Sequence, residues 1–177
     1  MKKTAYILLI LVLVIIRPAF SQCEEYEYLK EQGLLSDTSY FVKARRFVGY
    51  IFPEGYHGDL VDKNKTTFRL SENEIVLIES VLITQYNEVH LKDSRVIEYK
   101  RKRNVGRFLN KYDRQYLGYF SDTGEKWCVV LLANRKRRGK HYFECFDRMM
   151  SFGFGEFYEK NQRYFRIDIE NESLIMP

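Results

Sequence analysis

The chain has 177 residues, of which 45% are hydrophobic and 30% charged, and a formal net charge of +5. This is a globular composition, and it excludes a collagenous, disordered or multi-span membrane protein. Three cysteines at long spacing and three scattered histidines also exclude a disulfide-rich scaffold and a zinc module.

Residues 1–21 read as a secretory signal. Lys2 and Lys3 precede an apolar run from Ala5 to Ile16, and Ala19-Phe20-Ser21 places small residues at the two positions a signal peptidase reads. A spanning helix takes ~20 residues, so the run is too short for an anchor and no transmembrane segment is expected after cleavage. Gln22 ahead of Cys23 argues against lipid attachment. The expected location is the periplasm or the cell exterior. Loss of Lys2, Lys3 and Arg17 lowers the formal charge from +5 to +2, so total charge gives no reason to expect a nucleic-acid partner.

Residues 22–44 read as an N-terminal arm and 45–177 as a single α+β domain. A strand is expected over Arg45 to Phe52, where Val48, Tyr50 and Phe52 alternate with Phe47, Gly49 and Ile51 before Pro53-Glu54-Gly55 ends the run. After the turn-rich stretch from His57 to Asn64, Ser71 and Glu74 form a capping box ahead of an apolar run. Ile75, Ile78, Leu82, Tyr86 and Val89 then recur at three- and four-residue steps, predicting a helix of about 16 to 18 residues with one face on a sheet. The basic stretch 92–111 is a connection with a helical turn near Arg107 to Leu109. Arg114 to Ser121 and Glu125 to Asn134 make a hairpin through Asp122-Thr123-Gly124. Trp127 to Leu132 is apolar on both faces, as in a central strand. Further strands are expected over His141 to Met150, Arg163 to Glu170 and Leu174 to Met176. The fold class is therefore α+β, one long helix packed on a curved antiparallel sheet, and a cystatin-like roll has this element order.

The segment Tyr112-Asp113-Arg114-Gln115-Tyr116-Leu117-Gly118-Tyr119-Phe120, followed by Gly124-Glu125-Lys126, resembles a family of small secreted proteins of unknown function common in Bacteroidetes. That family carries an Arg-Gln-Tyr-x-Gly strand leading into a Gly-Glu-Lys turn. The likeness extends over residues 45–177 and implies secretion and a single domain, with no activity attached. The chain departs from the pattern in the basic loop Arg135 to Lys140 and in lacking a Gly-Gly pair near position 154.

Chemical motifs are sparse. There is no Gly-x-Ser-x-Gly elbow and no Gly-rich phosphate cradle, and no cofactor is expected. His57 and Asp59 beside Tyr56 could orient an imidazole, but in a turn they read more simply as solvent-facing polar residues. In a strand, His141 and Cys145 would stand roughly 13 Å apart, too far for a nucleophile and its base. Glu144 and Asp147 would fall on opposite faces of that strand. If Asn134 and Gly139 close a hairpin, Cys128 and Cys145 fall directly opposite one another, which allows either a disulfide or two buried thiols.

Charge is unevenly spread. Residues 92–140 hold 15 Lys and Arg against 5 Asp and Glu, whereas the rest of the chain after residue 21 holds 11 against 19. Two runs dominate, Lys100-Arg101-Lys102-Arg103 and Arg135-Lys136-Arg137-Arg138. They are either solvated loops or a patch for an anionic partner such as a polysaccharide, a lipid headgroup or an acidic protein. The 14 Tyr, 13 Phe and 1 Trp allow an aromatic ligand platform drawn from Tyr112, Tyr116, Tyr119, Tyr142, Tyr158 and Tyr164, but packing in the core and across neighbouring strands is the stronger reading of such residues. Two functions remain open: a secreted noncatalytic binding or interaction domain, or a small secreted enzyme with dispersed catalytic residues. Convergence of His57, His90 and His141 on one cavity would favour the enzyme.

Overall fold

The computed structural model describes residues 40–43, 47–58, 60–92, 101–135, 143, 145–150 and 152–176. Ten elements follow in order: β1 (Tyr40–Lys43), β2 (Val48–Ile51), β3 (Thr67–Phe68), α1 (Glu72–Lys92), α2 (Val105–Leu109), β4 (Asp113–Phe120), β5 (Lys126–Ala133), α3 (Glu156–Asn161), β6 (Gln162–Asp168) and β7 (Ser173–Ile175). The strands form one seven-stranded sheet in the order β1-β2-β4-β5-β6-β7, with β3 paired to β4. The fold is α+β, as the pattern of elements predicts. The sheet starts at Tyr40, inside the stretch that reads as an arm, and it is mixed rather than wholly antiparallel. β2 and β4 run parallel, with Tyr50 opposite Gln115. The chain between them is long enough to carry α1, and a crossover of that length can return a strand in its original direction.

Helix α1 begins where the capping box places it. The Glu74 carboxylate accepts from the Ser71 amide at 2.8 Å, and the Ser71 hydroxyl accepts from the Glu74 amide at 3.3 Å. Glu72 and Glu74 in the first turn also suit the positive end of the helix dipole. The expected stripe faces the sheet: Ile75, Ile78, Leu82 and Tyr86 are buried against Tyr116, Cys128, Val130, Leu132, Phe165 and Ile167. Full burial of a side chain such as Ile78 or Leu82 contributes about 2 kcal/mol. Asn87 adds a polar tie, exchanging hydrogen bonds of 2.9 Å with the Lys102 backbone in both directions.

Among the described residues no long helix covers the other face. Irregular segments close it, with Phe52, Tyr56, Val61, Phe143, Phe146 and Met150 packed on Leu117, Val129, Leu131 and Ala133. β5 therefore alternates between two cores, which explains its unbroken apolar run.

A polar network sits under α1. Arg114 is 1% exposed, donating from Nε to Glu79 at 2.9 Å and from Nη1 to the carbonyls of Leu109 and Tyr112. The Phe47 ring lies 3.4 Å from the guanidinium carbon. The Tyr116 hydroxyl donates to the same Glu79 oxygen at 2.8 Å. Burial, reinforced by the Glu79 charge, pushes the Tyr116 phenol well above its ordinary pKa. Gln115, on the opposite face, donates to the carbonyls of Phe146 and Met149. A Cβ on Gly118 would meet the Phe68 carbonyl oxygen at 2.8 Å, so β3 can cross there only over glycine. The Arg-Gln-Tyr-x-Gly segment is thus a structural joint: Arg114 and Tyr116 hold α1 through Glu79, Gln115 holds the turn at 146–149, and Gly118 admits β3.

Two expectations fail together. The described residues of 141–150 contain no strand: Phe143 is in a 3-10 turn, 145–148 form turns, the Cys145 carbonyl accepts from the Arg148 and Met149 amides at 2.8 Å, and Cys145 has a φ of 54°. The strand geometry assumed for His141 with Cys145 and for Glu144 with Asp147 falls with it, and His141 and Glu144 lie outside the described residues. β5 spends its second edge on β6, so Cys128 stands opposite Ile167 rather than Cys145. Cys128 is a free thiol, fully buried in the core beneath α1, and burial raises its pKa. Cys145 is disulfide-bonded, though not to Cys128. The sequence holds one other cysteine, Cys23, which lies outside the described residues.

Alkylation of the unreduced, urea-unfolded protein is expected to label Cys128 and to leave Cys145 unlabelled, as read by peptide mass mapping. Label on Cys145 would contradict the pairing. For the network under α1, Arg114→Met is expected to lower unfolding free energy by about 3 kcal/mol, because it leaves Glu79 facing an apolar partner. Glu79→Gln retains hydrogen-bonding atoms and should cost about 1 kcal/mol. Urea titrations of the two variants check that ranking.

Candidate functional site

The face of the sheet opposite α1 is left partly uncovered at the end where β4 turns into β5. Ser121 and Glu125 close that turn, with the Ser121 amide 2.9 Å from the Glu125 carbonyl. Beside it, the loop 57–66 is tied to β4 through the Phe120 amide, which donates to the Thr66 carbonyl at 2.9 Å. Between loop and sheet lie two adjoining depressions of about 450 and 430 Å³, which share Leu60, Val61, Asp62 and Arg166. Volumes in this range fit a small ligand or a few units of a chain.

The floor comes from three neighbouring strands. Tyr119 on β4 is directly opposite Trp127 on β5, and their ring centres are 6.5 Å apart with a 39° tilt. Arg166 on β6 pairs with Val129, so its side chain shares their face one step along the sheet. Arg166 is exposed and forms no ion pair among the described residues. The Trp127 Nε1–H is out of water and has no acceptor among the described residues. Burial pushes the Tyr119 phenol up, against the opposing pull of the Arg166 charge. Tyr119 therefore stays a neutral hydroxyl at physiological pH.

The rim is mixed in charge. Lys65 pairs with Asp122, and Asp62 accepts from the Asn64 amide at 3.1 Å within its own turn. His57 borders the second depression and is exposed. Asp168, opposite Trp127, is a turn anchor. Burial pushes its carboxyl up, but hydrogen bonds from the Asn171 side chain at 2.8 Å, the Asn171 amide at 3.0 Å and the Glu170 amide at 3.1 Å outweigh that and leave its pKa lowered.

The residues singled out from sequence are distributed differently. Tyr112 and Tyr116 are buried beneath α1, Tyr158 and Tyr164 pack in the second core, and Tyr119 alone of the platform candidates lines the cleft; Tyr142 lies outside the described residues. His90 is buried near the end of α1, with its ring 4.5 Å from Tyr86 and 6.0 Å from Phe165, far from exposed His57. His141 and Asp59 lie outside the described residues. Among the described residues no group of three metal-binding side chains occurs.

The described residues of the basic runs, Arg101 to Arg103 and Arg135, lie at the opposite end of the sheet. β4 begins and β5 ends there, with Asp113 opposite Ala133. Arg101 and Arg103 are exposed, and Lys102 is half-buried with its ammonium 5.0 Å from the Phe108 ring. Arg135 does not point freely to solvent: it lies 3.7 Å from Asp113, with its guanidinium carbon 5.3 Å from the Phe146 ring. Lys100, Lys136, Arg137 and Arg138 lie outside the described residues.

Sequence reasoning missed Trp127 and Arg166 as site residues. The pairing of β4, β5 and β6 unites them, and no local motif encodes that pairing.

No family model, curated protein or solved structure matches the chain.

Asp168→Asn is expected to reduce stability by about 1 to 2 kcal/mol at pH 7, since hydrogen bonds to a charged acceptor are lost. The native pKa is depressed, so the contribution is present above the unfolded value of about 3.9 and is lost as pH falls through the native pKa. Urea titrations at pH 7 and pH 3 should show the gap between variant and parent closing in acid.

Proposed function

We propose that the protein is an exported, noncatalytic binding domain whose cleft takes an acidic saccharide. The observation that carries this reading is the alignment of Tyr119, Trp127 and Arg166 across three adjacent strands. Aromatic faces pack against the C–H faces of sugar rings, and a guanidinium without a protein carboxylate is suited to bidentate pairing with a carboxylate or sulfate. The neutral Tyr119 hydroxyl offers a hydrogen-bonding group to ligand oxygens. Catalysis would need a nucleophile with its base, or a carboxyl held protonated near neutral pH. Of the shifted groups in the described chain, Glu74 caps α1, Asp168 anchors a turn, and Tyr116 and Cys128 are core groups, while Tyr119, the one in the cleft, is a phenol held neutral rather than a base. The basic end of the sheet supports the reading at longer range, because a positive field draws anionic chains toward the domain. The signal-like residues 1–21 and the resemblance to small secreted proteins support export.

Trp127 is the one tryptophan in the chain, so intrinsic fluorescence reports on the cleft directly. Titration with an oligogalacturonate should shift or quench that emission, whereas a neutral glucan of equal length should bind at least tenfold more weakly. Arg166→Ala should remove that preference, a loss of about 1.4 kcal/mol or more for the acidic probe. Unchanged emission together with no heat of binding for either probe would overturn the assignment.

A further inference from the structure

We infer that the opposite end of the sheet is a docking surface for an anionic lipid membrane, with Phe154 as the side chain that enters it. Phe154 is the most exposed of the large apolar residues in the described chain, at 86%. A single exposed apolar residue is ordinary on a protein surface, but this one stands on a built tip. Gly155 has a φ of 98° and turns the chain directly into α3. Gly153 is packed so closely under Tyr158 that a Cβ there would come within 2.3 Å of three ring atoms, and its amide is held 2.9 Å from the Gln162 side-chain oxygen. Phe152 turns inward onto Tyr164, with ring centres 4.9 Å apart, and meets Phe154 edge-on at 5.8 Å. The tip therefore holds Phe154 outward on a rigid aromatic base.

Its position adds charge complementarity. Gln162, which fixes the tip, pairs with Ala133 at the end of β5, and the Asn134 amide donates to the Asn161 carbonyl at 2.8 Å. The tip thus lies where the Arg135 run leaves the sheet. Arg101, Arg103, Arg107 and Lys111 are exposed on the approach to β4 at the same end, and Arg163 bonds only to the backbone carbonyls of Glu159 and Gln162. Of the described carboxylates there, Asp113 is engaged by Arg135, Glu156 by Lys160 and Asp147 by Arg148, leaving Glu88 and Glu159 to oppose the surplus among the described residues. An apolar ring at the same end of the sheet as exposed cations is the combination that anionic bilayers retain: the ring enters the acyl boundary and the cations stay among the headgroups. No helix among the described residues is long and apolar enough to cross a membrane, so the contact is peripheral. β4 and β5 each have eight residues, which puts this surface roughly 25 Å from the cleft and leaves the cleft facing outward. The inference stands whether or not the cleft takes a saccharide.

The test is co-sedimentation of the purified protein with vesicles of phosphatidylcholine alone and of equal parts phosphatidylcholine and phosphatidylglycerol. Binding is expected to the mixed vesicles only, with at least a tenfold loss for Phe154→Ser and a comparable loss for the double variant Arg101→Ser, Arg103→Ser. Phe154→Trp supplies a second reading. Its added emission should be quenched by lipids brominated in the acyl chains, while Trp127 of the parent protein should be untouched by them. Absence of binding to the mixed vesicles at low salt would overturn the inference. So would undiminished binding by Phe154→Ser, which would reduce the contact to electrostatic adsorption. Quenching of parental Trp127 would place the bilayer at the cleft instead and equally overturn it.

Discussion

The arrangement depends most on a buried cation. Arg114 sits at the start of β4 beneath a helix, and an uncompensated charge at such a site costs several kcal/mol. Besides the nearby Tyr112 carbonyl, its contacts reach Glu79 on α1, the Leu109 carbonyl at the end of α2, and the ring of Phe47 ahead of β2. Tyr116 shares the same carboxylate oxygen. An apolar stripe can slide along an apolar sheet at modest cost, whereas this network is satisfied in one register only. The hydrophobic contact supplies most of the stabilisation, and the polar joint sets where the helix stands.

With α1 held in that register, the two ends of the sheet acquire different characters. The capped, acidic start of the helix reaches the β4–β5 turn, where Lys126 of β5 pairs with Glu74 at 2.8 Å. Its later half runs toward the basic connection and α2. The unevenness of charge along the chain becomes an unevenness in space: an aromatic cleft with balanced rim charges at the turn end, and a cationic surface with a projecting phenylalanine at the other. The two surfaces are consistent with a domain held at a membrane while its cleft samples material outside.

The second face of the sheet owes its form to the segments that cover it. Loops 52–61 and 143–158 bring aromatic side chains rather than a regular amphipathic element, and such segments cover a sheet incompletely. Where they end, Tyr119 at the margin of the second core and half-buried Trp127 border a cleft. The Gln115 amide, bonded to the carbonyls of Phe146 and Met149, marks how far the covering extends.

Much of this was legible in the sequence. The Ser71 capping box and the three-to-four-residue stripe specify α1, the Gly124 turn specifies the hairpin, and the doubly apolar run specifies β5 as a central strand. Those features are local, and their physical causes lie within a few residues. The failures are all questions of partnership. His141 to Met150 is apolar enough for a strand, but a strand needs an edge, and β6 had taken the one available on β5; the Cys128 to Cys145 pairing failed for the same reason. Arg135 belongs to a basic run yet folds back on Asp113 because β4 and β5 bring the two together. The sequence by itself determined the long helix α1, the β4–β5 hairpin, the β6 strand and where charge accumulates, since those depend on near neighbours. Only the tertiary structure decided which strand borders which, and with it the site, because Tyr119, Trp127 and Arg166 meet through backbone pairing that no short segment contains.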